Sequence, residues 1–124
     1  MRLRRSRLET FFHRKRIIKK DNEGSTYEEY GAATSFTGES WPASGKVQAQ
    51  QYGQKLGYIR NVKIDGGYTI EPDEKGRLHY ILENGADLME LDGICLFTGE
   101  DKDPDYKIVA VKPYRFLTLE VERI

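Results

Sequence analysis

Short runs of alternating apolar and polar residues, interrupted by glycine, proline and acidic turns, dominate this chain, and no long helical periodicity develops. Residues 58–64 are the clearest run. Tyr58, Arg60, Val62 and Ile64 fall on one face, Asn61 and Lys63 on the other, which predicts a half-buried strand. Residues 11–20 predict a first strand, because the turn signal Asp21-Asn22-Glu23-Gly24 follows and residues 26–30 can return beside it. Leu8, Phe11 and Phe12 also share a helical spacing, which leaves a short helix as the alternative. Residues 31–57 are punctuated by Gly31, Gly38, Gly45, Gly53 and Gly57. They read as a long loop with a turn or two of helix over 47–56, and any strand reaching Pro42 must bend or end there. Residues 68–70 and 78–82 predict a hairpin closed by 71–76, and stronger strands are predicted at 91–97, 106–112 and 116–122. Ile108-Val109-Ala110-Val111 is apolar on both faces, so its strand is expected to be central. Leu117, Leu119 and Val121 alternate with Thr118, Glu120 and Glu122, so that strand is expected to be half exposed. Short antiparallel strands without a second class of element predict an all-β fold, a small antiparallel β-barrel.

Charge changes the picture more than composition does. The formal net charge is zero, with 20 basic and 20 acidic residues. Residues 1–20 nevertheless hold nine basic residues against one acid, Glu9, and carry +8, while the rest of the chain carries −8. This predicts a basic N-terminal arm, residues 1–10, on an acidic barrel domain, residues 11–124, with an inserted hairpin around 66–90. Arg2, Arg4, Arg5 and Arg7, with Arg14, Lys15 and Arg16 just beyond, are the candidate contacts to a polyanion: DNA or the acidic face of a neighbouring subunit. The hairpin holds Glu71, Asp73 and Glu74 beside Lys75 and Arg77. It is expected to be a docking loop and not core. No apolar stretch is long enough for a membrane span, and no apolar segment follows the basic start, so neither a membrane protein nor a secretory signal is expected.

The search for chemistry excludes more than it finds. The glycines spell neither a Walker loop nor a dinucleotide fingerprint. Cys95 is the one cysteine and lies in an apolar run, which predicts an inert buried thiol. His79 is expected on a solvent face, and His13 sits among cations without an evident carboxylate partner. The acidic run 100–105 lacks the spacing of a calcium loop and is interrupted by Pro104, so a solvated loop is expected. No catalytic centre and no cofactor are predicted. Eight tyrosines beside a basic arm leave a small-barrel nucleic-acid-binding module as an alternative function.

The order of landmarks points further. A basic segment with Ile17-Ile18 is followed by Tyr27-Glu28-Glu29-Tyr30, Trp41-Pro42-Ala43-Ser44-Gly45-Lys46, Tyr52-Gly53 and the strand 58–64. Then come Leu91-Asp92-Gly93-Ile94-Cys95, Pro104-Asp105-Tyr106-Lys107-Ile108-Val109-Ala110-Val111 and Leu119-Glu120-Val121-Glu122. Over roughly residues 10–124 this resembles the head-closure, or head-completion, proteins of long-tailed phages. Asp65-Gly66-Gly67 and the acidic hairpin depart from the pattern, which has a basic residue after the middle strand. The resemblance implies a non-enzymatic, cofactor-free virion subunit, a small barrel assembling in the host cytoplasm into a dodecameric or hexameric ring in the neck. A portal or adaptor protein would lie on its head side and a tail completion or terminator protein on its tail side. Packaged double-stranded DNA would be retained in its channel. Under this resemblance Trp41, Ser44, Lys46 and Tyr52 belong to a candidate interface loop.

Overall fold

A computed structural model describes residues 3–124. The chain forms β1 (Glu9–Lys20), β2 (Thr26–Pro42), α1 (Lys46–Tyr52), β3 (Ile59–Ile64), β4 (Tyr68–Pro72), β5 (Leu78–Leu82), β6 (Asp87–Leu88), β7 (Gly93–Cys95), β8 (Tyr106–Pro113) and β9 (Leu117–Arg123). A 3-10 turn at Arg5–Arg7 precedes β1, and a second, Gly53–Tyr58, joins α1 to β3. Six antiparallel strands close a barrel in the order β1-β2-β3-β9-β8-β7, and β4-β5-β6 form a separate three-stranded sheet. The fold is therefore all-β and built on a small closed barrel.

Strand alternation fills the barrel. Phe11, Phe36, Val62, Ile64, Ile94, Ile108, Leu117, Leu119 and Val121 point inward and are buried. Gly38 marks where β2 passes from β1 to β3, pairing with Glu9 on one side and Ile64 on the other. A Cβ there would overlap the Lys63 carbonyl, so only glycine lets the strands approach.

Differences from the sequence expectations each have a physical cause. Residues 31–42 are not loop but the second half of a long β2, because glycine in a strand weakens pairing without forbidding it. The strand does end at Pro42, and the helix that follows ends at Gly53. Val109 is only half-buried, since a β-bulge between Ile108 and Ala110 interrupts the alternation of β8. Glu120 is fully buried, because α1 lies over the outer face of β9. The 66–90 segment is not wholly outside the core. Tyr80, Leu82, Ala86 and Leu88 belong to the same buried cluster as the barrel interior, while most of β4, the distal turn and residues 83–85 are exposed.

Candidate interaction surfaces

The small sheet is pinned to the barrel by alternating charges. Asp92 is buried, and its two carboxylate oxygens accept from His13 Nε2 (2.7 Å) and from the amides of Met89 (3.0 Å) and Arg16 (3.0 Å). Lys15 Nζ lies 3.4 Å from Asp92 and 3.7 Å from Asp87. Asp87 in turn accepts from His79 Nδ1 at 2.8 Å, and His79 Nε2 reaches Asp73 at 3.1 Å. The bonds to Asp87 and then Asp73 raise the His79 pKa above its ordinary value. Partial desolvation opposes ionisation of Asp73. The bonds from His79 and from the Arg77 and Lys75 amides outweigh it and bring the carboxyl down to about 2. The turn before Asp92 holds Leu91 at φ 74, a left-handed conformation that costs a leucine about 1–2 kcal/mol. The Leu91 amide bond to the Ile108 carbonyl, at 2.7 Å, helps to hold it there.

Under α1 lies a second polar cluster, on the outer face of the barrel. Gln48 is the one buried residue of this short helix, and it reaches Asn61 on β3 and Glu120 on β9. Lys112 approaches the same Glu120 oxygen at 3.5 Å, and Tyr52 bonds to this carboxylate. Burial, then the Glu120 charge, pushes the Tyr52 hydroxyl up to about 12. The other oxygen of Glu120 has no hydrogen-bond partner.

Two surfaces of the barrel differ. On the one carrying Lys63, Thr118 and Lys112, a groove of about 450 Å³ is lined by Trp41, Lys63, Tyr114, Arg115 and Phe116. Lys63 Nζ sits 5.2 Å from the Phe116 ring centre, within cation–π range. An adjoining hollow adds Arg7 and Glu39. The arm reaches this region because the Leu3 amide bonds to Asp65 just after β3. On the other surface Phe97 is 70% exposed but fixed. The Arg60 guanidinium covers its ring at 5.3 Å, Tyr106 meets it edge-on, and Asp105 accepts from its amide at 3.0 Å. Glu100 and Asp101 follow on the same loop and are exposed.

The predicted contact residues divide accordingly. Arg4, Arg5 and Arg7 are exposed, and Arg2 lies outside the described residues. Arg14, Lys15 and Arg16 are not part of a free arm. They lie on β1 and are engaged internally, Arg14 with the carbonyls of Gly31, Tyr30 and Lys102, Lys15 with Asp87 and Asp92, Arg16 with Glu28. In the distal turn Asp73 and Arg77 pair with each other, while Glu71, Glu74 and Lys75 are exposed. Trp41 stands on β2 and not in a loop. Ser44 and Lys46 are exposed at the start of α1, and Tyr52 is turned toward Glu120. The buried His13–Asp92 pair and the His79 bridge have no signal in the sequence, since 79 positions separate His13 from Asp92. Cys95 is buried, and burial raises its thiol pKa. Among the described residues no helix is long and apolar enough to cross a membrane, and no cluster of His, Cys, Asp or Glu could hold a metal ion. No protein-family model, curated protein or solved structure matches the chain.

Proposed function

We propose that this chain is a structural subunit of a phage head–tail connector, assembling as a ring beneath the portal, retaining packaged DNA and offering a surface to the tail. The observation that carries the reading is the hairpin that outgrows its barrel. β1 pairs with β7 only over Phe12–Arg14, and β2 pairs with β3 only over Gly38–Pro42. Residues 17–20 of β1 and 26–29 of β2 therefore pair only with each other, and beyond the bonds that Arg14, Asn84, Asp65 and Asp92 make nearer the barrel no third strand covers either edge. Ile17, Ile18 and Tyr27 are exposed near its tip. Long open edges with apolar side chains are what a solitary protein avoids and an assembling one uses. The landmark order over residues 10–124 supplies the particular assembly.

The test is genetic. Removing the gene from the phage or prophage that encodes it should leave DNA-leaking heads and unjoined tails, restored by a plasmid copy. Normal particles without the protein would overturn the reading. A small-barrel nucleic-acid-binding module is the second reading, favoured by the aromatic and cationic groove at Trp41, Lys63 and Arg115. It requires DNA affinity in the isolated chain that falls steeply with salt.

A further inference from the structure

We infer that Phe97 with Glu100 and Asp101 of one copy seats in the Trp41–Lys63–Tyr114–Arg115–Phe116 groove of a second copy, a head-to-tail contact that rests on the ring reading above and deepens it. The two patches are distinct surfaces of one barrel. Phe97 packs beside Tyr106, which pairs with Arg123, whereas the groove borders the Lys112–Thr118 pair at the far end of β8. Six residues of strand separate the ends, about 20 Å at ~3.3 Å per residue. Within one subunit Phe97 is held against Arg60 and Tyr106 and does not line the groove, although Arg60 also bonds Ser40 of the adjoining hollow at 3.1 Å.

The patches match in chemistry and charge. Phe97 is 70% exposed, yet its position is set by Arg60, Tyr106 and the bond from its amide to Asp105. Docking it would cost little ordering entropy, the condition under which an aromatic anchor binds well. The groove is walled by aromatic side chains, with Tyr114 itself 63% exposed. Its rim carries Lys63, Arg115 and Arg7 against the single acid Glu39. Glu100 and Asp101 meet that excess with the opposite sign. A contact joining different patches of identical subunits is heterologous, and it closes into a ring where the rotation allows. The acidic occupant is thus a neighbour's loop and not the distal turn around Glu74.

The test uses the purified full-length chain in sedimentation velocity over a concentration series reaching about 1 mM, the dissociation constant of a weak complex. The wild type should associate with rising concentration, and Phe97→Ala should weaken association at least about tenfold, as an anchor residue does. A loop variant, Glu100→Lys with Asp101→Lys, and a groove variant, Lys63→Glu with Arg115→Glu, should each stay monomeric alone. Mixed in equal amounts they should associate again, because every contact then joins opposite charges. Far-UV circular dichroism identifies any variant that fails to fold. Phe97→Ala alters one exposed side chain and keeps the test decisive in that event. Three results would overturn the inference: a wild type monomeric throughout, variants that associate like wild type, or a mixture that stays monomeric. A groove variant that loses duplex-DNA binding while self-association is unchanged would also overturn it, assigning the groove to nucleic acid. Presence of the protein in phage necks together with a monomeric wild type would sink this contact and leave the connector reading standing.

Discussion

Gln48→Ala should destabilise the protein more than Glu120→Gln, although Gln48 sits on a seven-residue helix and Glu120 is a buried charge in a barrel strand. Gln48 Nε2 donates to Glu120 at 2.6 Å and to Asn61 at 2.7 Å. Its Oε1 accepts from the Ser44 amide at 3.1 Å and from Asn61 Nδ2 at 3.3 Å. Alanine removes all four bonds. Glu120, already lacking a partner on one oxygen, is left with Tyr52 and a lysine 3.5 Å away. Stripping a partner from a buried charge costs about 3–5 kcal/mol, but Tyr52 and the one-third-exposed Lys112 still compensate, so about 2–3 kcal/mol is expected. Glutamine at 120 keeps the volume, and its oxygen still accepts from Gln48. Losing the charge weakens that bond by about 1 kcal/mol and relieves a desolvation cost of similar size, for a net change within about 1 kcal/mol. Urea unfolding of the three proteins supplies the numbers, and amide exchange over residues 46–52 distinguishes a loosened helix from a weakened barrel. If Glu120→Gln costs more than Gln48→Ala, the cluster does not hold α1 in the way described.

Further outcomes follow from burial and from pH. Leu119→Ala should cost about 2–5 kcal/mol and Val109→Ala clearly less, because Leu119 is fully buried while Val109 is half-exposed at a bulge; equal midpoint shifts in urea would place both in the core. Leu91→Gly should raise the unfolding midpoint slightly, since relief of about 1–2 kcal/mol at φ 74 exceeds the ~0.5–1 kcal/mol entropy cost of glycine; a lower midpoint would mean that the leucine packs more than its exposure suggests. The clasp at His79 should be strongest between about pH 4 and pH 6.5. The raised His79 pKa gives stability that is complete below 6.5 and lost as pH rises through the folded value; the lowered Asp73 pKa gives stability present above 3.8 and lost as pH falls toward about 2. Amide exchange at residues 73–79 should slow within that window, and an exchange rate free of such a minimum, after correction for intrinsic chemistry, would refute the bridge.

The parts of the fold that were legible in the sequence rest on neighbours along the chain. The turn at 21–24, the stop at Pro42, the helix limit at Gly53 and the strand over 59–64 are each set by a few adjacent side chains and their backbone preferences. What escaped depends on distant partners. Nothing near Glu120 distinguishes it from Thr118 or Glu122 on the same face of β9, and only α1, more than 60 positions earlier, makes it a core residue. Val109 fails for the opposite reason. Its neighbours are apolar, but a bulge shifts the alternation by one residue, and a pattern of period two cannot carry that shift.

The same distinction governs the basic arm. A count of nine basic residues in the first 20 treats them as one field, whereas β1 begins at Glu9 and consumes Arg14, Lys15 and Arg16 in bonds that fasten the 66–90 segment and the long hairpin to the barrel. Residues that resembled a reservoir of free charge thus serve the fold. Lys63 and Arg115, from a separate strand and a turn, with Arg7 from the arm, gather beside Trp41 and Tyr114, while Arg4 and Arg5 stay exposed on the arm. The cations available at the surface therefore depend on which ones the strands engage, and not only on where the sequence concentrates them.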